Sequence, residues 1–493
     1  MASSSSPPPS PTLRHVAMLP FMAKGHAMPL LHLSRLLLRR GLASAVTFLA
    51  TPREAPFIRA AVAGLPGAAV VELPFPSSTS AAAPAAPQST EDLSSPSASG
   101  LLDLVSAAAA LRLAFADALA RLDPRPDLLV HDGFLAWAED AAAELAVPRL
   151  VSLGIGAFAS YVAGAVVAQK PHALVGGSPS EPFELDGLPG LRLTKADLHP
   201  PFDDPEPAGP HWDFVCACRA ATASSRGTIV NTFYELESPY IDRWNQEIPL
   251  KMWPVGPLCL AIEPAVQAAL DSDLAGWLDS RLAMDRPVLY VAFGSQAALS
   301  RAQLEEIATG LDRSGLDFIW VVRSKWLDQE DQVEGRFGDK GKVVQTFVNQ
   351  LGVLNHKAVK GFFSHCGWNS VTESISMGVP ILAFPMAAEQ KMNAKFVVDV
   401  LGVGLRVWPS NYGGARGGDD DGIEGGLVAS EDIQAMAKEL ILGEGGRRAA
   451  ARVAEHAASA RKAMDTGGSS FENLELMVRE ITEISRVEQA TSG

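Results

Sequence analysis

One stretch narrows the possible folds more than any other: residues 360–384, KGFFSHCGWNSVTESISMGVPILAF. Lys360 to Ser364 has the short apolar and aromatic character of a buried strand, and HCGWNS reads as a turn in which Gly367 lets backbone approach closely. A helix is predicted next. Ser370 and Glu373 have capping-box spacing, Ile375 and Met377 continue the apolar pattern, and Gly378-Val379-Pro380 ends it before a strand resumes at Ile381 to Phe384. Strand, glycine turn and helix N-terminus point unpaired N–H groups and the positive end of the macrodipole at one spot, so the first ligand to consider is an anion. His365, Asn369, Ser370 and Glu373 crowd that spot and suit a ligand with phosphates and hydroxyls. Glu389-Gln390, beyond the next strand, is a second cluster able to grip sugar hydroxyls.

The same alternation begins at the N-terminus. His15 to Phe21 reads as a buried strand, Ala23-Lys24-Gly25-His26 as its loop, and Pro29 to Arg40 as a helix with proline at its first position and Gly41 as its stop. His26 then stands just ahead of a helix N-terminus, whose dipole disfavours imidazolium and keeps the ring a proton acceptor near pH 7. Val46 to Ala50 continues a βαβ pattern. Leu101 to Leu122 reads as one helix, and Asp127 to His131 as a strand that delivers Asp132 to its C-terminal end, where open α/β sheets place ligands; Asp132 also fits a helix N-cap. Residues 77–100 are low-complexity surface loop. Residues 170–215 are proline-rich, with Phe183, Phe202, Trp212 and Phe214 scattered through what reads as packed loop. After strands at Ile229 to Asn231 and Trp253 to Pro257, a second alternating half opens with a helix carrying Trp277-Leu278, a strand from Val288 to Phe293 and the turn Gly294-Ser295. The run at 411–426 reads as solvated loop; Asp419, Asp420 and Asp421 point in different directions and have no partner histidine nearby to make a metal site. The fold class is therefore α/β, with two doubly wound halves and the active site in the cleft between them.

Composition removes several alternatives. A net charge of -15 and a pI near 5.2 disfavour a nucleic-acid partner, so an anionic ligand must be held by local dipoles. The four cysteines have neither disulfide-framework nor zinc spacing, which suits a reduced compartment. There is no apolar run of membrane-spanning length, and the Ser/Pro-rich start lacks a signal-peptide pattern, so the expected address is cytoplasmic.

From Phe347 to Gln390 the chain resembles the signature box of plant family 1 UDP-dependent glycosyltransferases, the secondary-product glycosyltransferases. HCGWNS, the glutamate three residues on, GVP and the terminal acidic-Gln pair are all in register, and VLYVAFGS, GTIVNTFYELE and WPVGPL look like further family blocks. The resemblance implies the GT-B fold: an acceptor-binding Rossmann-like domain over residues 12–257, a linker at 258–271, a UDP-sugar-binding domain at 272–465, and a last helix at 466–486 packing back on the first domain. It implies an inverting O-glucosyltransferase acting, as a monomeric enzyme without metal or cofactor, on UDP-glucose and a small phenolic or flavonoid acceptor; terpenoid, hormone and foreign acceptors stay open. His26 becomes the base and Asp132 its orienting partner. His365, Asn369 and Ser370, with Ser295 and Gly367 at the turns, are expected at the diphosphate. Phe347, where the family usually has a uracil-stacking tryptophan, is expected at the nucleoside with Val348 and Gln350. Glu373 either closes the capping box or accepts the ribose hydroxyls, and Trp368, Glu389 and Gln390 face the sugar. Gln390 resembles the glucose users, and part of 170–215 would line the acceptor pocket.

Two rivals differ in class. A dinucleotide-dependent oxidoreductase would also be doubly wound, but Gly402-Val403-Gly404 lacks the third glycine. A sugar-nucleotide binder without catalysis would keep the box and need neither His26 nor Asp132.

Overall fold

The computed structural model describes residues 12–75, 87–93, 98–175, 180–262, 270–294, 299–322, 335–346, 348–407 and 426–491. Two parallel sheets organise them. In the first, the strands Ala68–Glu72, Ala43–Ala50, β1 (Leu13–Leu19), β2 (Leu128–Asp132), Arg149–Leu153, Thr228–Val230 and Met252–Pro254 lie side by side. In the second the order is Gly341–Val344, Asp317–Val321, β3 (Val288–Ala292), β4 (Val359–Ser364), β5 (Ile381–Ala383) and Gly404–Arg406. The central strands are buried along their length because helices cover both faces, which is why they read as continuous apolar runs without alternation.

Each sheet winds outward in two directions from its first strand. The order therefore reverses between β1 and β2 in one sheet and between β3 and β4 in the other, and such a reversal opens a crevice at the carboxyl ends of the strands. Leu19 lies opposite His131 and Ala292 opposite Ser364, so the segments leaving each pair emerge side by side.

The helices that matter for the site are α1 (Lys24–Arg39), α2 (Ala157–Gln169), α3 (Pro210–Ser224), α4 (Gln350–Asn355), α5 (Trp368–Met377), α6 (Gln390–Lys395) and α7 (Ser469–Thr491). Leu474, Met477, Val478 and Ile481 repeat at helical spacing on α7 and join the core of the first sheet with Leu13, Val16 and Trp253. The two halves meet through an apolar cluster in which Phe158 of α2 stacks on Phe396 at 4.8 Å, and through a buried ion pair, Asp197 to Arg406 at 3.4 Å.

Several expectations are corrected. The first helix begins at Lys24, so His26 is its third residue and Pro29 lies inside it. The sequence reading placed the start at proline because that residue is so common at the first position; here the five residues before it were already helical. Ser370 is the third residue of α5, whose N-cap is Gly367, so no capping box joins Ser370 to Glu373. The helix read over Leu101 to Leu122 is two, meeting at 47°. Trp212 and Phe214 belong to α3. Among the described residues no single helix is long and apolar enough to cross a membrane, and the bent pair packs Leu104, Leu111 and Phe115 into the core. The aspartate run at 419–421 lies outside the described residues.

Candidate active site

At the first switch point, His26 follows β1 and Asp132 closes β2. The imidazole Nδ1 lies 2.7 Å from Asp132 Oδ2, and the other carboxylate oxygen accepts the Phe134 N–H at 2.9 Å. Asp132 thus fixes its own turn and orients the histidine, but it does not cap the following helix, which starts at Trp137. The lowering of the His26 pKa expected from the helix dipole is outweighed by nearby charges. Burial pulls its pKa down and is the largest single influence. The charge and hydrogen bond of Asp132, with the charge of Glu389 from the other half, outweigh it and leave the pKa above the usual histidine range.

Two phenyl rings pack on the histidine and a third packs behind them. Phe21 meets His26 edge-on at 5.4 Å, Phe134 lies 5.0 Å from it, and Phe214 of α3 packs on Phe134 at 5.3 Å. One turn beyond Phe214, burial and then the charge of Asp132 push the Cys218 thiol up to about 12. A side chain at Gly154 would begin 3.1 Å from His26 Cε1, so glycine there leaves the imidazole its room. Sequence reading noted Phe214 as loop packing and missed Phe21 and Phe134, because apolar residues beside a strand end carry no signal separating core from pocket.

At the second switch point, His365 leaves β4 between two glycine turns. A Cβ on Gly294 or Gly367 would stand 2.7 or 2.5 Å from His365 Nε2, and Gly294 has a φ of +76°, so both positions demand glycine for space or backbone. Burial holds His365 down at about 4, so it is a neutral ring. Helix α5 starts beside it at Gly367, which has no side chain to cap it; the Glu389 carboxylate accepts the Trp368 N–H, and the next N–H groups point the positive end of the helix at the turn. Two non-glycine residues adopt left-handed backbone here, Cys366 (φ 64°) and Ala388 (φ 52°). Asn393, unanticipated from the sequence, ties both turns by donating to the Cys366 carbonyl at 2.9 Å and to Glu389 Oε1 at 3.3 Å.

Behind this cradle Gln350, the first residue of α4, donates to Glu373 Oε2 at 2.7 Å and to Ser370 Oγ at 3.0 Å, while Tyr290 donates to Gln350 at 3.3 Å. Burial pushes the Glu373 carboxyl up to about 7 against the opposing bond from Gln350. Val348 is half-buried against the apolar cluster that holds Leu278, Val288 and Tyr290. Ser295 and Phe347 lie outside the described residues.

Two side chains, Trp368 and Asn369, are not where the sequence reading put them. Trp368 is buried and donates its indole N–H to the Asn231 carbonyl at 2.9 Å, so its ring joins the contact between halves instead of facing a sugar. Asn369 donates to the Gly25 carbonyl at 2.5 Å. Gln390 spends its side-chain oxygen on the N–H groups of Met386 and Ala387, at 2.9 and 3.0 Å. Glu389 does face the cleft: burial raises its pKa, and the charge of His26 opposes that.

Two Rossmann-like sheets facing one cleft, with a histidine–carboxylate pair at one switch point and a helix N-terminus beside polar side chains at the other, have the arrangement of a GT-B glycosyltransferase. Residues 264–407 match the family model described as UDP-glucoronosyl and UDP-glucosyl transferase. The chain is 38% identical to UDP-glycosyltransferase 90A1 of Arabidopsis thaliana over 481 residues, 95% of this chain and 96% of the relative. It is 33% identical to UDP-glucose flavonoid 3-O-glucosyltransferase 7 of Fragaria ananassa, covering 96% of each. Among solved structures, Glycyrrhiza uralensis UGT73P12, complexed with glycyrrhetinic acid 3-O-monoglucuronide, superposes with a TM-score of 0.83 at 28% identity over 98% of both chains. Phytolacca americana UGT2, complexed with UDP-2fluoro-glucose and pterostilbene, gives 0.75 at 27% identity over 95% of this chain and 100% of that one. The chain belongs to the plant family 1 UDP-glycosyltransferases.

Proposed function

We propose that this enzyme transfers glucose from UDP-glucose to a hydroxyl of a small lipophilic acceptor, phenolic or flavonoid in character, with inversion and without a metal ion. The observation that carries the reading is the His26–Asp132 pair at 2.7 Å, set among phenyl rings and facing Glu389 across the cleft. With Nδ1 held by Asp132, Nε2 is the atom left to take the acceptor proton, and Asp132 stabilises the imidazolium that forms. The freed oxygen attacks the anomeric carbon opposite the diphosphate, so an α-linked donor gives a β-glucoside. Charge on the departing diphosphate is met by the N–H groups and the positive dipole end at the start of α5, beside the His365 turn. Gln350 and Glu373 suit the ribose hydroxyls, and Glu389 those of the sugar.

The phenolic acceptor is supported by the rings around His26 and by relatives named for flavonoid and scopoletin glucosylation. The Glycyrrhiza relative, complexed with a glycyrrhetinic acid glucuronide, supports a bulkier acceptor as the second reading. Free cysteines at positions 216, 218, 259 and 366 suit a cytosolic enzyme, which we take to act as a monomer.

The test is a mass-spectrometric screen of UDP-glucose against phenolic, terpenoid and hormone acceptors in the presence of a chelator, run beside His26→Ala. Products heavier by one hexose, absent with the variant, are expected. UDP binding without product from any acceptor would return the chain to the class of silent binders.

A further inference from the structure

Proline inside α1 leaves a gap that the other half of the molecule fills. Pro29 has no N–H, so the carbonyl four residues earlier, that of Gly25, lacks its intrahelical donor. Asn369, the second residue of α5 across the cleft, donates Nδ2 to that carbonyl at 2.5 Å. Asn369 Oδ1 in turn lies 3.3 Å from Asn231 Nδ2. Asn231 is buried, its Oδ1 accepts the Leu258 N–H at 2.7 Å, and its carbonyl accepts the Trp368 indole at 2.9 Å. A Cβ on Gly256 would stand 2.5 Å from Asn231 Oδ1, so the amide is closely confined.

These bonds set one another's direction. The Leu258 N–H needs an oxygen, which turns the Asn231 NH2 toward Asn369; Asn369 must then answer with its oxygen and present its own NH2 to the Gly25 carbonyl. The end of the chain is the residue next to His26, whose ring is held by Asp132 on one side and feels Glu389 on the other. We propose that Asn231 is a positioning residue for sugar transfer: through the Asn369 amide it holds the Gly25 carbonyl, and so sets the helix start carrying His26 against the donor cradle. The proposal rests on the reading of His26 as base. Asn231 touches neither reacting atom, and its effect passes entirely through Asn369 and α1.

Asn231→Asp tests it. The substitution keeps the shape and the acceptor for Leu258 but offers Asn369 an oxygen. Asn369 then turns its NH2 to the carboxylate and sets oxygen against the Gly25 carbonyl. The expected result is a kcat lower by roughly ten- to a hundredfold, the scale of a base displaced by a fraction of an ångström to an ångström, with UDP affinity by calorimetry unchanged. Hydrogen exchange should quicken in the peptide spanning 20–30 and stay unchanged across α5. A folding defect in that variant is bypassed by Pro29→Ala, a substitution compatible with helix, which returns an intrahelical donor to Gly25 and should give a smaller kcat loss with the same unchanged UDP affinity. Wild-type kcat in both variants, or a loss of UDP affinity that accounts for the lost activity, overturns the relay. If the unaltered enzyme glucosylates no acceptor, the activity reading fails by itself and exchange decides the relay: quickening in the first turn of α1 supports it, and no change overturns it.

Discussion

The two halves share one topology and place their chemistry at the same point of it, yet the two crevices are built from opposite materials. Between β1 and β2 stands a charged pair in an apolar setting, His26 and Asp132, with Phe21 and Phe134 packed on the histidine and Phe214 behind them. Between β3 and β4 stands a polar cradle of a helix N-terminus, neutral His365 and the Gln350–Glu373–Ser370 network. A doubly wound sheet supplies a crevice without specifying its content. One crevice suits moving a proton beside a lipophilic molecule, and the other suits holding a nucleoside diphosphate through its leaving charge.

If that division is right, substitutions in the first crevice change turnover and those in the second change donor affinity. His26→Ala should give the largest effect, a fall in kcat on the order of 10²–10⁴ with UDP affinity unchanged; equal losses in both would erase the distinction. Asp132→Asn should cost less, about 10² in kcat, and it carries a pH signature. His26 works as a base only when deprotonated and its pKa is raised, so kcat/KM should fall as the pH drops through a value above the usual 6.5. Removing the Asp132 charge lowers that pKa, so the acid limb should move to lower pH; a limb that stays put would assign it to another group.

In the second crevice, Glu373→Gln should weaken UDP-glucose binding about tenfold, the scale of a hydrogen bond to a charged group. The wild-type carboxyl titrates at about 7 in the unliganded enzyme, and only its ionised form accepts both ribose hydroxyls. Donor affinity should therefore decline as the pH falls below about 7 in the wild type and show no such decline in the variant, read by calorimetry at several pH values. The smallest effect is expected from Phe214→Ala, with an acceptor KM raised roughly two- to tenfold by the lost aromatic contact and an unchanged donor KM. A shift in donor KM instead would move α3 out of the acceptor side.

The second crevice was far more legible than the first. Its residues lie in one continuous stretch, where strand, glycine turn and helix N-terminus follow in order and the ligand chemistry can be read from local rules. Even there the side-chain directions of Trp368 and Asn369 escaped, since each is decided by a partner in the other half: the Asn231 carbonyl and the Gly25 carbonyl. In the first crevice His26 and Asp132 stood out as isolated titratable residues at a helix start and a strand end. The direction of the His26 pKa shift was missed because the charges that raise it, Asp132 and Glu389, are remote in sequence.

The sequence alone determined the α/β alternation in two halves and the polar cradle after β4, because strand periodicity, helix termination and turn chemistry are local; His26 and Asp132 were singled out as a pair through the family resemblance. The tertiary structure decided that His26 meets Asp132, that two phenyl rings pack on the histidine with a third behind them, and that Asn369 reaches the carbonyl Pro29 leaves open. Those contacts depend on which strands become neighbours and how the halves face each other, and no local pattern encodes either.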